Sequence, residues 1–310
     1  MGSTYTRRGG NGSGSVRKVV VVGSGTMAPG IAVACAAAGA NVVVVARSLD
    51  RANAVVRATV ELGAERVEAA PLDGVALASA DLVIETVVED AAVKEVVLAQ
   101  VESLVPASTL LVTNTSGLRI STLAAELRRP GLFAGFHFLN PAHLTGVVEV
   151  IPGEHTSPGT TRSLEEFART MGKIPLTLRR DMAGGIWNRL QFALLREVLF
   201  LLESDVADAS TIDAAVSDGL APRWVAGGPL ATADLGGIDT FSRAAAAILP
   251  TLASSAEVPR SLRSRAESGG GFFLWTADEM EAAQQARVAA LRMASEVRAR
   301  RPSPRPGEDG

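Results

Sequence analysis

The sequence predicts a two-domain α/β chain: a doubly wound, mostly parallel sheet followed by an all-helical domain. Three observations carry this. Short runs of Val, Ile and Leu, apolar at every position, alternate with helical patterns up to about residue 181, as strands buried on both faces require. A Gly-x-Gly turn joins the first of these runs to the first helix. Beyond residue 181 no further strand pattern recurs, and apolar residues fall at helical spacing. A chain of 310 residues is too long for one small core, which agrees with two domains. The expected division is 16–181 for the sheet domain and 182–297 for the helical one. Residues 1–15, rich in Gly, Ser, Arg and Asn, and 298–310, rich in Arg, Pro, Ser and Gly, read as disordered tails.

Val19–Val22 is the first buried strand, and Gly23 and Gly25 supply the tight turn after it. An Ala-rich helix follows to about Ala38, Gly39 closes it, and Val42–Val45 is the second strand. The spacing then predicts a helix from Leu49 to about Ala69, a third strand over Leu82–Val88 and a helix over Ala91–Leu104 that ends before Pro106. Leu110–Thr113 is the fourth strand. A short helix over Ser121–Leu127 is expected to take Ser121 as its N-cap. Phe133–Leu139 and Val147–Ile151 read as two more strands, and Leu176–Leu178 as an added edge. In the second domain helices are expected over 185–203, Ser210–Ser217, Thr240–Leu249 and Thr276–Val297, the last with Thr276 and Glu279 as a capping box.

Composition narrows the class. Hydrophobic residues make up 47% and charged residues 20%, as in folded globular proteins. A net charge of −3 with no basic stripe gives no case for nucleic acid. The single cysteine, Cys35, supports no disulfide or metal framework and reads as a small buried residue. The sequence shows neither an apolar stretch of membrane-spanning length nor a secretory apolar region, so a cytoplasmic protein without a membrane partner is expected.

Strand, Gly-x-Gly turn, helix and strand within about thirty residues form a dinucleotide-binding unit, in which amides at the helix N-terminus face a pyrophosphate. The third glycine of the usual fingerprint is Ala28 here. NAD enzymes usually end the second strand with an acid that binds the ribose 2′-hydroxyl. That place holds Ala46, followed by Arg47, Ser48 and, one turn on, Arg51. Guanidinium groups bind phosphate bidentately, so NADP(H) is favoured over NAD(H). The competing reading is a pair of surface arginines beside an NAD site that lacks its acid.

Three polar segments fall at strand ends: Asn114-Thr115-Ser116, His137 and Glu149. The link between the strands of His137 and Glu149 is too short for a parallel crossover, so these strands should pair antiparallel. Pairing Leu139 with Gly146 would set His137 opposite Val148 and next to Glu149. A carboxylate beside an imidazole fixes its tautomer and stabilises its protonated form, which suits proton transfer. On position alone a core histidine between Phe136 and Phe138, with an acid paired for structure, fits as well. Ser116 is either a substrate ligand or a turn cap. Asn188 is either a reach into the site or a helix-terminal polar residue.

Taken together, these segments resemble the 3-hydroxyacyl-CoA dehydrogenase family over about residues 16 to 295. The family's motifs stand here as Gly23 to Met27, Asn114 to Ser116, His137 to Pro141, Val148 to Val150 and Asn188 to Leu190. Gly228-Pro229-Leu230, Ala233-Asp234-Leu235 and Ile238-Asp239 look like its C-terminal signature. The resemblance implies that His137 is the general acid or base, that Glu149 orients it, and that Ser116 and Asn188 hold the substrate oxygen. It implies a cofactor site of Gly23, Gly25, Thr26, Met27, Asn114, Glu89 and Lys94, with Arg47, Ser48 and Arg51 at the ribose. It also implies a homodimer through the helical domain. The expected reaction interconverts 3-hydroxyacyl and 3-oxoacyl thioesters, on coenzyme A or an acyl carrier protein, as an NADPH-dependent ketoreductase. Members acting on sugar acids or carnitine share the Asn-Pro-Ala-His-Leu style of loop, so a small free 3-hydroxy acid is the alternative substrate. Lens crystallins of the family make a non-catalytic protein a third reading. Ala183 and Gly185 stand where the family has Pro and Phe, and Ser264–Trp275 is a shortened form of its Gly-rich stretch.

Overall fold

A computed structural model describes residues 16–64 and 66–300. It forms two compact units, one ending at Asn188 and the other beginning at Arg189. Eight strands build the sheet of the first unit: β1 Lys18–Val22, β2 Asn41–Ala46, β3 Val67–Pro71, β4 Leu82–Glu85, β5 Leu110–Thr113, β6 Phe133–Phe138, β7 Val147–Pro152 and β8 Ile174–Thr177. Their order is β3-β2-β1-β4-β5-β6-β7-β8. All neighbours run parallel except β6 and β7. The strand order reverses between β1 and β4, and ligands of such sheets bind beyond the strand ends at that point.

Because both faces are covered, alternate residues of one strand enter different cores. Val19 and Val21 join Ile31 of α1 (Met27–Ala37), Val55 of α2 (Leu49–Glu61) and Phe167 of α6 (Pro158–Thr170). Val20 and Val22 join Leu77 of α3 (Gly74–Leu77), Leu98 of α4 (Ala91–Leu104) and Leu123 of α5 (Ile120–Leu123). Cys35 is buried in the first of these cores, and burial pushes its thiol up to about 12.

Five details depart from what the sequence predicts. The helix over Leu49–Ala69 stops at Glu61, and Gly63, at φ +90°, turns the chain into β3 along the free edge of β2. Glu68 and the two alanines of 67–70 have helical propensity, but edge pairing outweighs it. The third strand ends at Glu85 rather than Val88. Ser121 is not an N-cap: α5 starts at Ile120 after Arg119, and the Ser121 hydroxyl accepts from Glu154 N–H at 3.0 Å. The register of β6 on β7 is one residue from that expected, with His137 directly opposite Glu149. Residues 158–170, to which the sequence reading assigns no element, form α6 with Ser157 as its cap.

The second unit is helical. It holds most of α7 (Trp187–Glu203), then α8 (Ala209–Ala214) running into a π-helical stretch over Ala215–Leu220, and α9 (Ala221–Ala226). The rest is α10 (Pro229–Gly236), α11 (Ile238–Ile248), α12 (Arg260–Ser268) and α13 (Ala277–Arg300). Glu279 accepts from the N–H and hydroxyl of Thr276, closing the capping box at the start of α13. The long helix includes residues 298–300. The expected tails 1–15 and 301–310 lie outside the described residues.

The loop between β6 and β7 is fastened from beneath by Lys173, which is buried and donates to the carbonyls of Ala142 at 2.7 Å and Thr145 at 2.6 Å. Lys173→Met would leave these carbonyls without their charged donor. It is expected to cost about 2–4 kcal/mol of stability, read as a lower urea midpoint. An unchanged midpoint would show that the loop holds without the ammonium.

Candidate active site

The glycine turn makes the first wall of the site. Gly23 sits at φ +138°, and a Cβ there would lie 2.5 Å from the Thr86 carbonyl oxygen, so only glycine lets β1 and β4 close together at their ends. A Cβ on Gly25 would meet nothing within 4 Å, which leaves open space over the turn. Thr26 starts α1 without a side-chain cap, and no acid stands in its first turn. The amides of that turn thus lack a side-chain partner, the condition under which a helix N-terminus receives an anion.

A cleft of about 570 Å³ runs over this turn. Gly23, Gly25, Thr26 and Met27 line it, with Ala46, Arg47 and Arg51 beside the end of β2 and Glu89, Asn114 and Ser116 beside the ends of β4 and β5. Two expected cofactor residues are elsewhere. Ser48 caps α2 through its hydroxyl, which accepts from Arg51 N–H at 3.4 Å. Lys94 lies buried below the cleft, 2.9 Å from Glu85. These open, glycine-lined and uncapped features fit a nicotinamide dinucleotide.

At the Asn114 and Ser116 end, the chain brings together the polar residues singled out from the sequence. Asn114 Oδ1 accepts from Phe138 N–H at 2.7 Å, tying the end of β5 to the residue after His137. Asn188 Nδ2 donates to the Ser116 carbonyl at 2.8 Å. His137 Nδ1 lies 2.7 Å from Glu149 Oε2, and both side chains are buried. The one-residue change of register matters here. Directly opposite residues of an antiparallel pair project from the same face, whereas a one-residue offset would have set the two side chains on opposite faces.

Glu149 has two further donors. The N–H groups of Ile186 and Trp187, at the start of α7, each reach Oε1 at 2.8 Å. Gly184 at φ +80° and Gly185 at φ +53° bend the chain so that these amides face the carboxylate. A Cβ on Gly185 would lie 2.5 Å from Glu149 Oε2. Burial alone would raise the Glu149 carboxyl. The bond from His137, the amides of Trp187 and Ile186 and the charge of His137 outweigh it, and hold the group below its ordinary 4.5. An ionised Glu149 takes the Nδ1 hydrogen, leaving Nε2 as the nitrogen that exchanges a proton with a ligand.

Glu85, at the end of β4 and not among the residues singled out from the sequence, has no exposed surface. Its carboxylate accepts from Lys94 Nζ at 2.9 Å, Thr113 Oγ1 at 2.6 Å and Val87 N–H at 2.6 Å. An acid ending an otherwise apolar strand pattern was the available signal. Glu89 in turn accepts through Oε1 from the Thr115 hydroxyl and from the N–H groups of Ser116 and Gly117. The two acids and the lysine between them hold the loops after β4 and β5.

The model of the 3-hydroxyacyl-CoA dehydrogenase NAD binding domain matches residues 18–182, and that of the family's C-terminal domain matches residues 184–269. The chain is 31% identical over 297 residues to 5-formyl-3-hydroxy-2-methylpyridine 4-carboxylate 5-dehydrogenase of Mesorhizobium japonicum, covering 89% of this chain and 96% of that one. It is 37% identical over 241 residues to 3-hydroxyadipyl-CoA dehydrogenase of Escherichia coli, covering 73% of this chain and 50% of the relative. A crystal structure of a 5-formyl-3-hydroxy-2-methylpyridine 4-carboxylic acid 5-dehydrogenase, an NAD+ dependent dismutase, superposes with a TM-score of 0.86 at 29% identity. It covers 93% of this chain and 100% of that one.

The depressed carboxyl of Glu149 gives a pH signature. Its contribution to stability is complete above the ordinary value of 4.5 and is lost as pH falls through the lower folded value. Glu149→Gln should therefore melt below the wild type at neutral pH, with the gap narrowing as pH is taken below 4.5. A gap that does not change between pH 7 and about pH 3 would contradict an ionised Glu149.

Proposed function

The chain belongs to the 3-hydroxyacyl-CoA dehydrogenase family, and we propose that it is an NADP(H)-dependent enzyme interconverting 3-hydroxyacyl and 3-oxoacyl thioesters, acting as a reductase. The observation that carries the reading is the buried His137–Glu149 pair, whose strand is tied through the Phe138 N–H to Asn114 in the lining of the cleft. When bound, the nicotinamide supplies or accepts the hydride. In reduction, protonated His137 delivers the Nε2 proton to the carbonyl oxygen as hydride reaches the carbonyl carbon. In oxidation His137 takes the hydroxyl proton as hydride leaves the same carbon. Ser116 and Asn188 hold the substrate oxygen, and Asn188 is set in place by its bond to the Ser116 carbonyl. Glu149 fixes the imidazole tautomer and balances the charge on His137 during transfer.

The cofactor preference rests on the other end of the cleft. Arg47 and Arg51 line it there, and Ala46 ends β2 where a ribose-binding acid would otherwise stand. This arrangement favours a 2′-phosphate over a 2′-hydroxyl. A second substrate reading has its own support. The relative covered to 96% of its length has a pyridine carboxylate in its name, so a small free acid is the alternative to a thioester.

Steady-state assays with NADPH and NADH, on acetoacetyl-CoA, carrier-bound 3-oxoacyl groups and free 3-oxo acids, separate these readings. NADPH is expected to give the higher kcat/KM on a thioester. Ala46→Asp is expected to lower kcat/KM for NADPH by about tenfold or more, and that for NADH far less. Equal use of both cofactors by the wild type would overturn the NADP(H) assignment, and turnover confined to free acids would overturn the thioester.

We propose that the second unit also has a partner of its own kind. Among its described residues Leu199 and Ile212 are buried, while Leu230, Leu235 and Leu274 are 85%, 90% and 99% exposed. Exposed leucines in such number suit an interface, and a second copy of the chain is the proposed cover. Light scattering after size exclusion should give the mass of a dimer; a monomer mass at micromolar concentration would overturn this.

A further inference from the structure

The cleft has a direction, and its two ends differ in charge. Arg47 and Arg51 stand at the β2 end, and Glu89 is the charged side chain that lines the end shared with Asn114 and Ser116. That second end is the one tied to the catalytic pair, through Asn114 to Phe138 and through Ser116 to Asn188. Hydride and proton leave adjacent atoms of one substrate, so a nicotinamide that serves His137 lies at the Glu89 end.

Glu85, Lys94 and Glu89 together carry two carboxylates against one ammonium. Lys94 is 2.9 Å from Glu85 and 3.5 Å from Glu89, and both Lys94 and Glu85 are buried. The buried two form a neutral pair, which leaves the net negative charge on Glu89, at the cleft. Asp90 beside it is exposed and spends one oxygen, Oδ1, on the Val93 N–H as the cap of α4. Burial pushes the Glu89 carboxyl up, but the Thr115, Gly117 and Ser116 donors and the Lys94 charge outweigh it, so the group stays ionised.

We infer that Glu89 selects the redox state of the bound cofactor, stabilising the oxidised form over the reduced one. The inference rests on the dinucleotide reading of the cleft and on no choice of substrate. An oxidised nicotinamide ring carries a positive charge, and the dihydro ring is neutral. A fixed carboxylate at that end attracts the first and is indifferent to the second. Stabilising the oxidised ring makes the reduced cofactor a stronger hydride donor on the protein. The hydride, with its electron pair, passes to the carbonyl carbon, the cofactor is oxidised and the ketone reduced, and the alkoxide takes its proton from His137. Glu89 thereby favours the reductive direction on the protein, at the cost of slower release of the oxidised cofactor.

Equilibrium titrations test this without turnover. Dissociation constants for NADP+ and NADPH are measured by fluorescence on the wild type, Glu89→Gln and Thr115→Val. Glutamine keeps an acceptor oxygen for the loop but removes the charge. It is expected to weaken NADP+ by about tenfold or more and NADPH by less than about threefold. Thr115→Val loosens the same loop with the charge in place and should leave the ratio of the two constants unchanged. Equal weakening of both forms by Glu89→Gln, or a ratio shifted as far by Thr115→Val, would overturn the inference. Should the glutamine variant not fold, Glu89→Asp draws the charge back by one methylene and should move the ratio part-way; an unchanged ratio there also overturns it. If the wild type binds only NAD(H), the same ratio is read with NAD+ and NADH; if it binds neither pair, the cofactor reading itself fails, and this inference with it.

Discussion

One carboxylate joins most of what matters in the first unit. Glu149, with no surface exposed, takes His137 through one oxygen and the first amides of α7 through the other. A buried anion is costly unless donors surround it, and here three donors from two parts of the chain do so. The same bonds therefore stabilise the acid, orient the imidazole and fix where α7 begins. Asn188 lies one residue after the second of those amides, so its bond to Ser116 depends on the same anchor.

A second charged cluster does the corresponding work for the loops after β4 and β5. Glu85 and Lys94 form its buried base, and Glu89 gathers Thr115, Ser116 and Gly117 above it. Between the two clusters lies Asn114, whose side chain fastens the residue next to His137. Site geometry is thus held by ionic groups in places where apolar packing would have been cheaper. Buried charge of this kind contributes position more than stability.

The parts legible in the sequence are those written in local pattern. β1, the glycine turn, α1 and β2 follow from a valine run, two glycines and an alanine-rich helix, and the structure has each within a residue or two. His137 and Glu149 could be brought near one another because the link between their strands is short. Their register could not be read, since it depends on how the Asn140–Thr145 segment folds back onto Lys173, a contact with no local trace. β3 was hidden by residues of helical propensity, although Gly63 marks the stop. Glu85 went unnoticed because its partners, Lys94 and Thr113, come from separate elements. Long-range pairing is what a pattern of nearest neighbours omits.

Gly185 shows how such an arrangement limits what the chain can become. The family resemblance puts a phenylalanine at that position, while here even a methyl group would intrude on the carboxylate that orients His137. Every single substitution at 185 must therefore first displace Glu149. An aromatic residue fits there only in a sequence whose turn is rebuilt around it, through Gly184, Ile186 or the course of α7. The residue at 185 and the anchoring of the catalytic acid are thus one choice and not two.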